Sequence, residues 1–199
     1  MTDFGEGRLV GIAGLRGSGK DEGGKYLEEN HGFLHSPTGD LVREVARDRG
    51  LDTERQTLID LGIQLRREYR SVGALVMASI EKWEQSPEDY PGGLAVTGMR
   101  TVGEAEKLLE MGGTLIFVEA MTELRHRRIV RRQRDTESQQ TLKDFTARSL
   151  VEEFGDPSDK TVANLDAVRR MAHFSITNNY SKPGPYYNDI DSVLGLADR

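Results

Sequence analysis

Cysteine is absent from the 199 residues, which excludes disulfides and cysteine zinc sites. Also absent is any run approaching ~18 apolar residues, so no membrane-spanning helix and no membrane partner are expected. The first eight residues, Met1 to Arg8, are acidic and glycine-containing and lack the apolar centre of a signal peptide, which points to the cytoplasm. An excess of positive charge is missing as well. Lysine and arginine number 27 against 33 aspartates and glutamates, a net charge of -6, which argues against a partner made of polymeric nucleic acid. The four histidines, His31, His35, His126 and His173, are too scattered for a metal site, and none forms a nucleophile pair with a serine. Neither internal repeats nor low-complexity tracts interrupt the chain. What remains is the composition of an ordinary soluble enzyme, 30% charged and long enough for one core, so residues 1–199 read as a single domain.

One segment carries specific chemistry. Gly14-Leu15-Arg16-Gly17-Ser18-Gly19-Lys20 directly follows the apolar stretch Leu9-Val10-Gly11-Ile12-Ala13, the spacing and context of a phosphate-binding loop. Glycines at 14, 17 and 19 let successive backbone N–H groups point inward at an anion. A helix over residues 21–29 adds the positive end of its dipole, and Lys20 adds a full charge reaching the β and γ phosphates. The loop residues Gly14, Arg16, Gly17, Ser18, Gly19 and Lys20, with Asp21, are therefore assigned to ATP.

Short apolar runs alternate with helical patterns, the sequence form of a parallel sheet with crossover helices. Strands are expected at residues 8–13, 32–35, 93–97, 114–120 and 173–176. Helices are expected at 21–29, 41–49, 53–70, 72–85, 103–111, 122–134, 141–154 and 160–172, with Gly155-Asp156-Pro157 separating the last two. The expected fold class is α/β, a three-layer sandwich on a five-stranded parallel sheet with the phosphate-loop NTPase architecture. The helices between strands two and three are too much for one crossover, and residues 38–86 read as a helical acceptor-binding insertion packed by Trp83, Leu61 and Leu65. Tyr180, Tyr186 and Tyr187 flank a rigid Lys182-Pro183-Gly184-Pro185 turn that anchors a last helix.

In such a sheet ligands gather at the carboxyl ends of the strands. Strand two is followed by Ser36-Pro37-Thr38-Gly39-Asp40-Leu41-Val42-Arg43, and strand three ends in Thr97-Gly98-Met99-Arg100-Thr101-Val102-Gly103-Glu104. After strand four a helix carries Arg125, Arg127, Arg128, Arg131, Arg132 and Arg134. Phosphoryl transfer spreads charge over nonbridging oxygens, and planar guanidinium groups neutralise it with paired hydrogen bonds. As a group these arginines favour function. Singly, each also reads as part of a solvated basic face, and Arg43 as an ion-pair partner of Glu44 or Asp48.

These segments resemble the nucleoside monophosphate kinase superfamily, adenylate kinase-like proteins and their dephospho-coenzyme A kinase relatives, over most of the chain. The resemblance implies that Thr38, Asp40 and Arg43, from a Thr-Gly-Asp-x-x-Arg segment, hold the acceptor nucleotide. Arg100, from Gly98-Met99-Arg100-Thr101, would be a second clamp on the acceptor phosphate, and Glu104 would stand where a base-reading glutamine is often placed. It also implies that Arg128 stacks on the ATP adenine, that Arg132 meets the transferring phosphoryl group and that Asn178 passes the adenine. Residues 133–147 would form a short lid with no room for a zinc-bearing one, and Arg148 beyond it would reach the phosphates on closure or lie on the surface. The catalytic set is then Lys20, Arg100, Arg132 and Arg148.

The pattern departs from the family at its magnesium groups. The usual loop hydroxyl is Asp21, and the usual carboxylate at the end of strand three is Thr97, so each site holds the other's chemical type. Magnesium takes hard oxygens and keeps several waters, so an exchanged shell of Asp21 and Thr97 is expected. Some phage deoxynucleoside monophosphate kinases and animal phosphomevalonate kinases also look like Gly-Lys-Asp here. Asp21 also reads as a helix N-terminal acid and Thr97 as an ordinary strand end.

The leading reading is an ATP- and magnesium-dependent kinase of nucleoside or deoxynucleoside monophosphates, a monomer or homodimer whose partner is a small nucleotide. A dephospho-coenzyme A kinase is the runner-up. A non-catalytic ATP-binding regulator of the same fold is the third, supported by the two metal-shell departures.

Overall fold

A computed structural model describes residues 8–68, 73–132, 141–156 and 158–196. Five strands form one wholly parallel sheet: β1 (Arg8–Gly14), β2 (Phe33–Pro37), β3 (Gly93–Thr97), β4 (Thr114–Glu119) and β5 (Phe174–Thr177), in the order β2-β3-β1-β4-β5. All five residues of β3 are buried, as a strand paired on both edges and covered on both faces requires. Register aligns Ile12 with both Thr97 and Ile116, and Pro37 with Thr97. The chain therefore leaves β1, β2 and β3 at one edge of the sheet, and that edge carries the site.

Alternating strand residues feed two cores. Val10, Ile12, Ala95, Ile116 and Val118 pack with Leu27 of α1 (Lys20–His31) and with Tyr186 and Ile190 of α9 (Gly184–Leu194). On the opposite face Leu9, Ala13, Leu94, Val96, Leu115 and Phe117 meet three helices: α4 (Ala74–Glu84), α5 (Val102–Glu110) and α8 (Leu165–Met171). Each fully buried Leu, Ile or Phe among them contributes about 1.5–3 kcal/mol. A third, smaller cluster of Val42, Ala46, Leu61, Leu65 and Leu75 joins α2 (Thr38–Asp48) and α3 (Arg55–Glu68) to α4, so the insertion has its own packing. Trp83 belongs to the main core rather than to that cluster.

Most boundaries shift by one or two residues, and two helix starts differ by more. Thr38, Gly39 and Asp40 are not a loop but the first turn of α2, which starts directly after Pro37. The helix expected over 160–172 begins at Leu165, where the Asn164 side chain accepts from the Ala167 N–H at 3.0 Å; before it, Asp159 Oδ1 binds the N–H and hydroxyl of Thr161 in a local turn. The remaining helices are α6 (Thr122–Arg132) and α7 (Leu142–Glu153). Residues 133–140, most of the expected lid together with Arg134, lie outside the described residues. Among the described residues no helix is long and apolar enough to cross a membrane.

Candidate active site

The phosphate loop is shaped by left-handed glycines. Gly17 (φ 81°) and Gly19 (φ 107°) adopt backbone conformations that residues with a Cβ disfavour. A Cβ on Gly17 would also lie 2.6 Å from the Arg125 carbonyl oxygen. Neighbours grip the loop from outside. Asn178 Nδ2 donates to the Ser18 carbonyl at 2.8 Å, and the buried Tyr186 hydroxyl donates to the Gly19 carbonyl at 3.2 Å. Arg128 Nη1 donates to the Gly17 and Ser18 carbonyls, while its Nη2 reaches Asn178 O, Asn178 Oδ1 and Tyr180 O. With these carbonyls engaged from outside, backbone N–H groups of the loop can turn toward an anion, apart from that of Ser18, which donates to the Leu15 carbonyl at 3.0 Å. The Ser18 hydroxyl is fully buried and has no protein partner, an orphaned donor that a bound phosphate would satisfy. The loop thus fits a nucleotide phosphate chain.

Lys20 heads α1 with its Nζ 3.6 Å from Asp21, and Arg132 approaches the same carboxylate at 4.0 Å. Burial by itself would raise the Asp21 pKa. Lys20, Arg132, His35 and Arg100 together outweigh it and hold the carboxyl below its ordinary value. Four separate parts of the chain, the phosphate loop, the end of α6, β2 and the segment after β3, therefore converge on Asp21.

On the side expected to take the acceptor, Gly98 (φ 83°) is pressed against Thr38. A Cβ there would lie 3.1 Å from Thr38 Oγ1 and 4.0 Å from Lys20 Cε, so the segments after β2 and β3 meet at the lysine. Arg43 pairs with Asp40 at 2.6 Å, one turn away on α2, rather than with Glu44 or Asp48. Arg100 reaches Glu152 of α7 at 3.5 Å. Arg148 is exposed on the same helix.

Two expected side chains are turned elsewhere. Glu104 is fully buried: Oε1 accepts from Arg66 Nε and Nη2 at 3.1 and 2.7 Å, and Oε2 accepts from the N–H groups of Arg100 and Thr101 at 2.9 and 3.2 Å. Both oxygens are occupied, the second in a capping box with Thr101, so the carboxylate is not presented to a base. Thr97 is also fully buried, with its hydroxyl 2.9 Å from His35 Nε2, so only Asp21 of the expected metal pair stands toward the site. Among the described residues no group of three or more His, Asp and Glu is placed to hold a metal.

Three residues shape the site that had no individual role in the sequence. His35 lies in a notch of α1 at Gly24, and Tyr186 against Gly23; the adjacent glycines inside a helix were the available signal for such close approach. Arg125 is buried, and burial lowers its pKa. It donates to the carbonyls of Ala120 and Arg16 and stands 5.3 Å from the Phe145 ring, where Arg16 stands at 5.7 Å. It supports the loop rather than facing a ligand.

A family model described as an AAA domain matches residues 10–154. A UPF0200 protein of Pyrobaculum aerophilum is 30% identical over 146 residues, covering 72% of this chain and 76% of the relative. An adenylate kinase of Francisella philomiragia subsp. philomiragia is 27% identical over 109 residues, 54% of this chain and 47% of that enzyme. Among solved structures, shikimate kinase from Acinetobacter baumannii in complex with shikimate superposes with a TM-score of 0.54 at 17% identity, covering 97% of this chain and 96% of that one; the likeness is one of fold.

Proposed function

Since the chain belongs to the AAA-domain family, with UPF0200 proteins as its relatives, and has a kinase-like phosphate-loop fold, we propose that it transfers the γ-phosphoryl group of ATP to the phosphate of a nucleoside or deoxynucleoside monophosphate. The observation that carries this reading is the placement of Asp21 at the phosphate loop, 3.6 Å from Lys20 and 4.0 Å from Arg132, with Arg100 among the charges that hold its carboxyl down. In the reaction an acceptor phosphate oxygen forms a bond to the γ-phosphorus, the bond to the β–γ bridging oxygen breaks, and its electron pair leaves on ADP.

Phosphoryl transfer of this kind is mostly positioning and charge neutralisation. Lys20 and the loop N–H groups hold the donor phosphates, Arg132 neutralises the moving group, and Arg100 with Arg43 holds the acceptor phosphate. Arg128 and Asn178, already joined at the rim of the loop, flank the adenine, and Arg148, exposed on α7, approaches the phosphates. Asp21, together with the nucleotide phosphates, would hold magnesium, which would supply Lewis-acid neutralisation of the phosphate oxygens. Thr97 contributes from behind, through His35.

A phosphate acceptor is favoured over a hydroxyl on chemical grounds. A phosphate monoester is largely ionised near pH 7, with a second pKa of about 6, and needs no general base. Asp40, the carboxylate within the acceptor segment, is engaged by Arg43. Base identity is not assigned to Glu104, whose oxygens are taken.

The test is ADP release from ATP and magnesium against a panel of nucleoside and deoxynucleoside monophosphates, with dephospho-coenzyme A alongside. Monophosphate-dependent ADP is the expected result. Release only with dephospho-coenzyme A would move the acceptor to a hydroxyl, and ATP binding without turnover for any acceptor would make the protein a regulator.

A further inference from the structure

Gly23 and Gly24 stand together in the second turn of α1, where each weakens the helix by roughly 0.5–1 kcal/mol relative to alanine. The two absent side chains make room for different neighbours. Gly23 faces Tyr186 and Ile190. At Gly24 a Cβ would overlap the Nε2–Cδ2 edge of His35 and lie 2.6 Å from Thr97 Cγ2, so the imidazole fills the notch between α1 and β3. Its Nε2 is fixed there by Thr97 Oγ1 at 2.9 Å.

The notch has a particular place on the helix. Gly24 follows Asp21 by three residues and Lys20 by four, the spacings that share one helix face. The His35 ring therefore lies one turn below the two side chains that head α1, and its thickness sets how far that turn stands from the end of β3. His35 and Asp21 also act on one another electrically: after burial, which is the larger influence on both, each is among the charges that shift the other.

We propose that His35, seated in the Gly24 notch and held by the Thr97 hydroxyl, is the positioning residue for the Asp21 carboxylate on the metal side of the bound nucleotide. The inference rests on the reading of Asp21 as the metal-side group. Without the ring, α1 settles toward the sheet and carries Asp21 out of line. The phosphate loop, which precedes the helix, is held separately through its Ser18 and Gly19 carbonyls by Asn178, Tyr186 and Arg128. The effect is thus on the metal's contribution rather than on phosphate binding as such.

Titration calorimetry of ATP with magnesium and with EDTA tests this in the wild type and in Asp21→Asn, His35→Ala, His35→Gln and Thr97→Val. In the wild type magnesium strengthens ATP binding, and Asp21→Asn removes most of that gain. His35→Ala loses on the order of tenfold of the gain, the scale of residues that orient metal ligands, and leaves metal-free affinity nearly unchanged. His35→Gln, whose amide still reaches Thr97, restores much of it. If the wild type gains nothing from magnesium, or Asp21→Asn keeps the full gain, the reading of Asp21 fails and this inference with it. If Asp21→Asn loses the gain and His35→Ala keeps it, only the role of His35 is overturned. Equal loss of both affinities in His35→Ala makes the ring merely structural and also overturns it. Should His35→Ala not fold, the isosteric Thr97→Val, which frees the ring, is judged by the same criteria.

Discussion

Arg128 on α6 and Asn178 after β5 are joined twice: Nη2 of the arginine lies 3.1 Å from the asparagine carbonyl oxygen and 3.2 Å from its Oδ1. Because Asn178 Nδ2 in turn holds the Ser18 carbonyl, the pair fastens the phosphate loop to the far side of the sheet. Burial lowers the Arg128 pKa, yet the guanidinium stays charged at any working pH.

Arg128→Ala is expected to destabilise the protein by about 1–3 kcal/mol, because it leaves part-buried carbonyls without donors, and to weaken ATP binding as well. Arg128→Lys should not restore either, since one ammonium cannot span acceptors on both the loop and Asn178. Urea denaturation and equilibrium ATP binding measure the two effects. A lysine variant equal to wild type in both would contradict the clasp.

Glu104→Ala should cost about 3–5 kcal/mol, the scale for removing one partner of a buried ion pair, since it strands Arg66 and removes the glutamate half of the capping box of α5. Once the folded fraction is allowed for, preference among acceptor bases should not change. A variant of normal stability with altered base preference would restore Glu104 to the role that the family resemblance implied.

That residue shows how legible the chain was. Thr101-Val102-Gly103-Glu104 is itself a capping-box sequence, so the local signal was present, and the resemblance to a base-reading position outweighed it. β3 was readable at both ends because it is a continuous apolar run bounded by Gly and Thr-Gly, and the phosphate loop was readable from spacing alone. Pro37-Thr38-Gly39 looks like a turn, but Pro37 comes just before the first turn of α2, where its fixed φ starts the helix without loss. The partnership of His35 with Thr97 spans 62 residues. No local pattern encodes it, and only the double glycine in α1 hinted that something approaches the helix there.

Gly24→Ala reverses the usual gain of alanine in a helix. The helix itself would gain about 0.5–1 kcal/mol, whereas forcing a methyl against His35 and Thr97 costs about 1–3 kcal/mol. A net loss of stability is expected, visible as a lower midpoint in urea. A stabilised variant would mean that the notch is not filled.

Burial lowers the pKa of His35, against the pull of Asp21, Glu28 and Asp40, which raise it, and with a smaller lowering by Lys25. Its unfolded value is about 6.5. Between the folded and unfolded values the unfolded chain holds more protons, so the stability due to the neutral ring is complete above about pH 6.5 and falls away as pH drops toward the folded pKa. His35→Gln lacks this term. Its stability relative to wild type should improve from pH 7.5 to pH 5 in urea titrations, and parallel curves would show that the ring is not held neutral.

The central claim is transfer of a phosphoryl group from ATP to an acceptor phosphate. It is tested most directly by following γ-labelled ATP with magnesium and the nucleoside or deoxynucleoside monophosphate that stimulates ADP release, and locating the label. Label is expected in the β-phosphoryl group of a nucleoside diphosphate, and is lost when Lys20 or Arg100 is replaced by alanine. Label found only in inorganic phosphate, or on an acceptor hydroxyl, would contradict it.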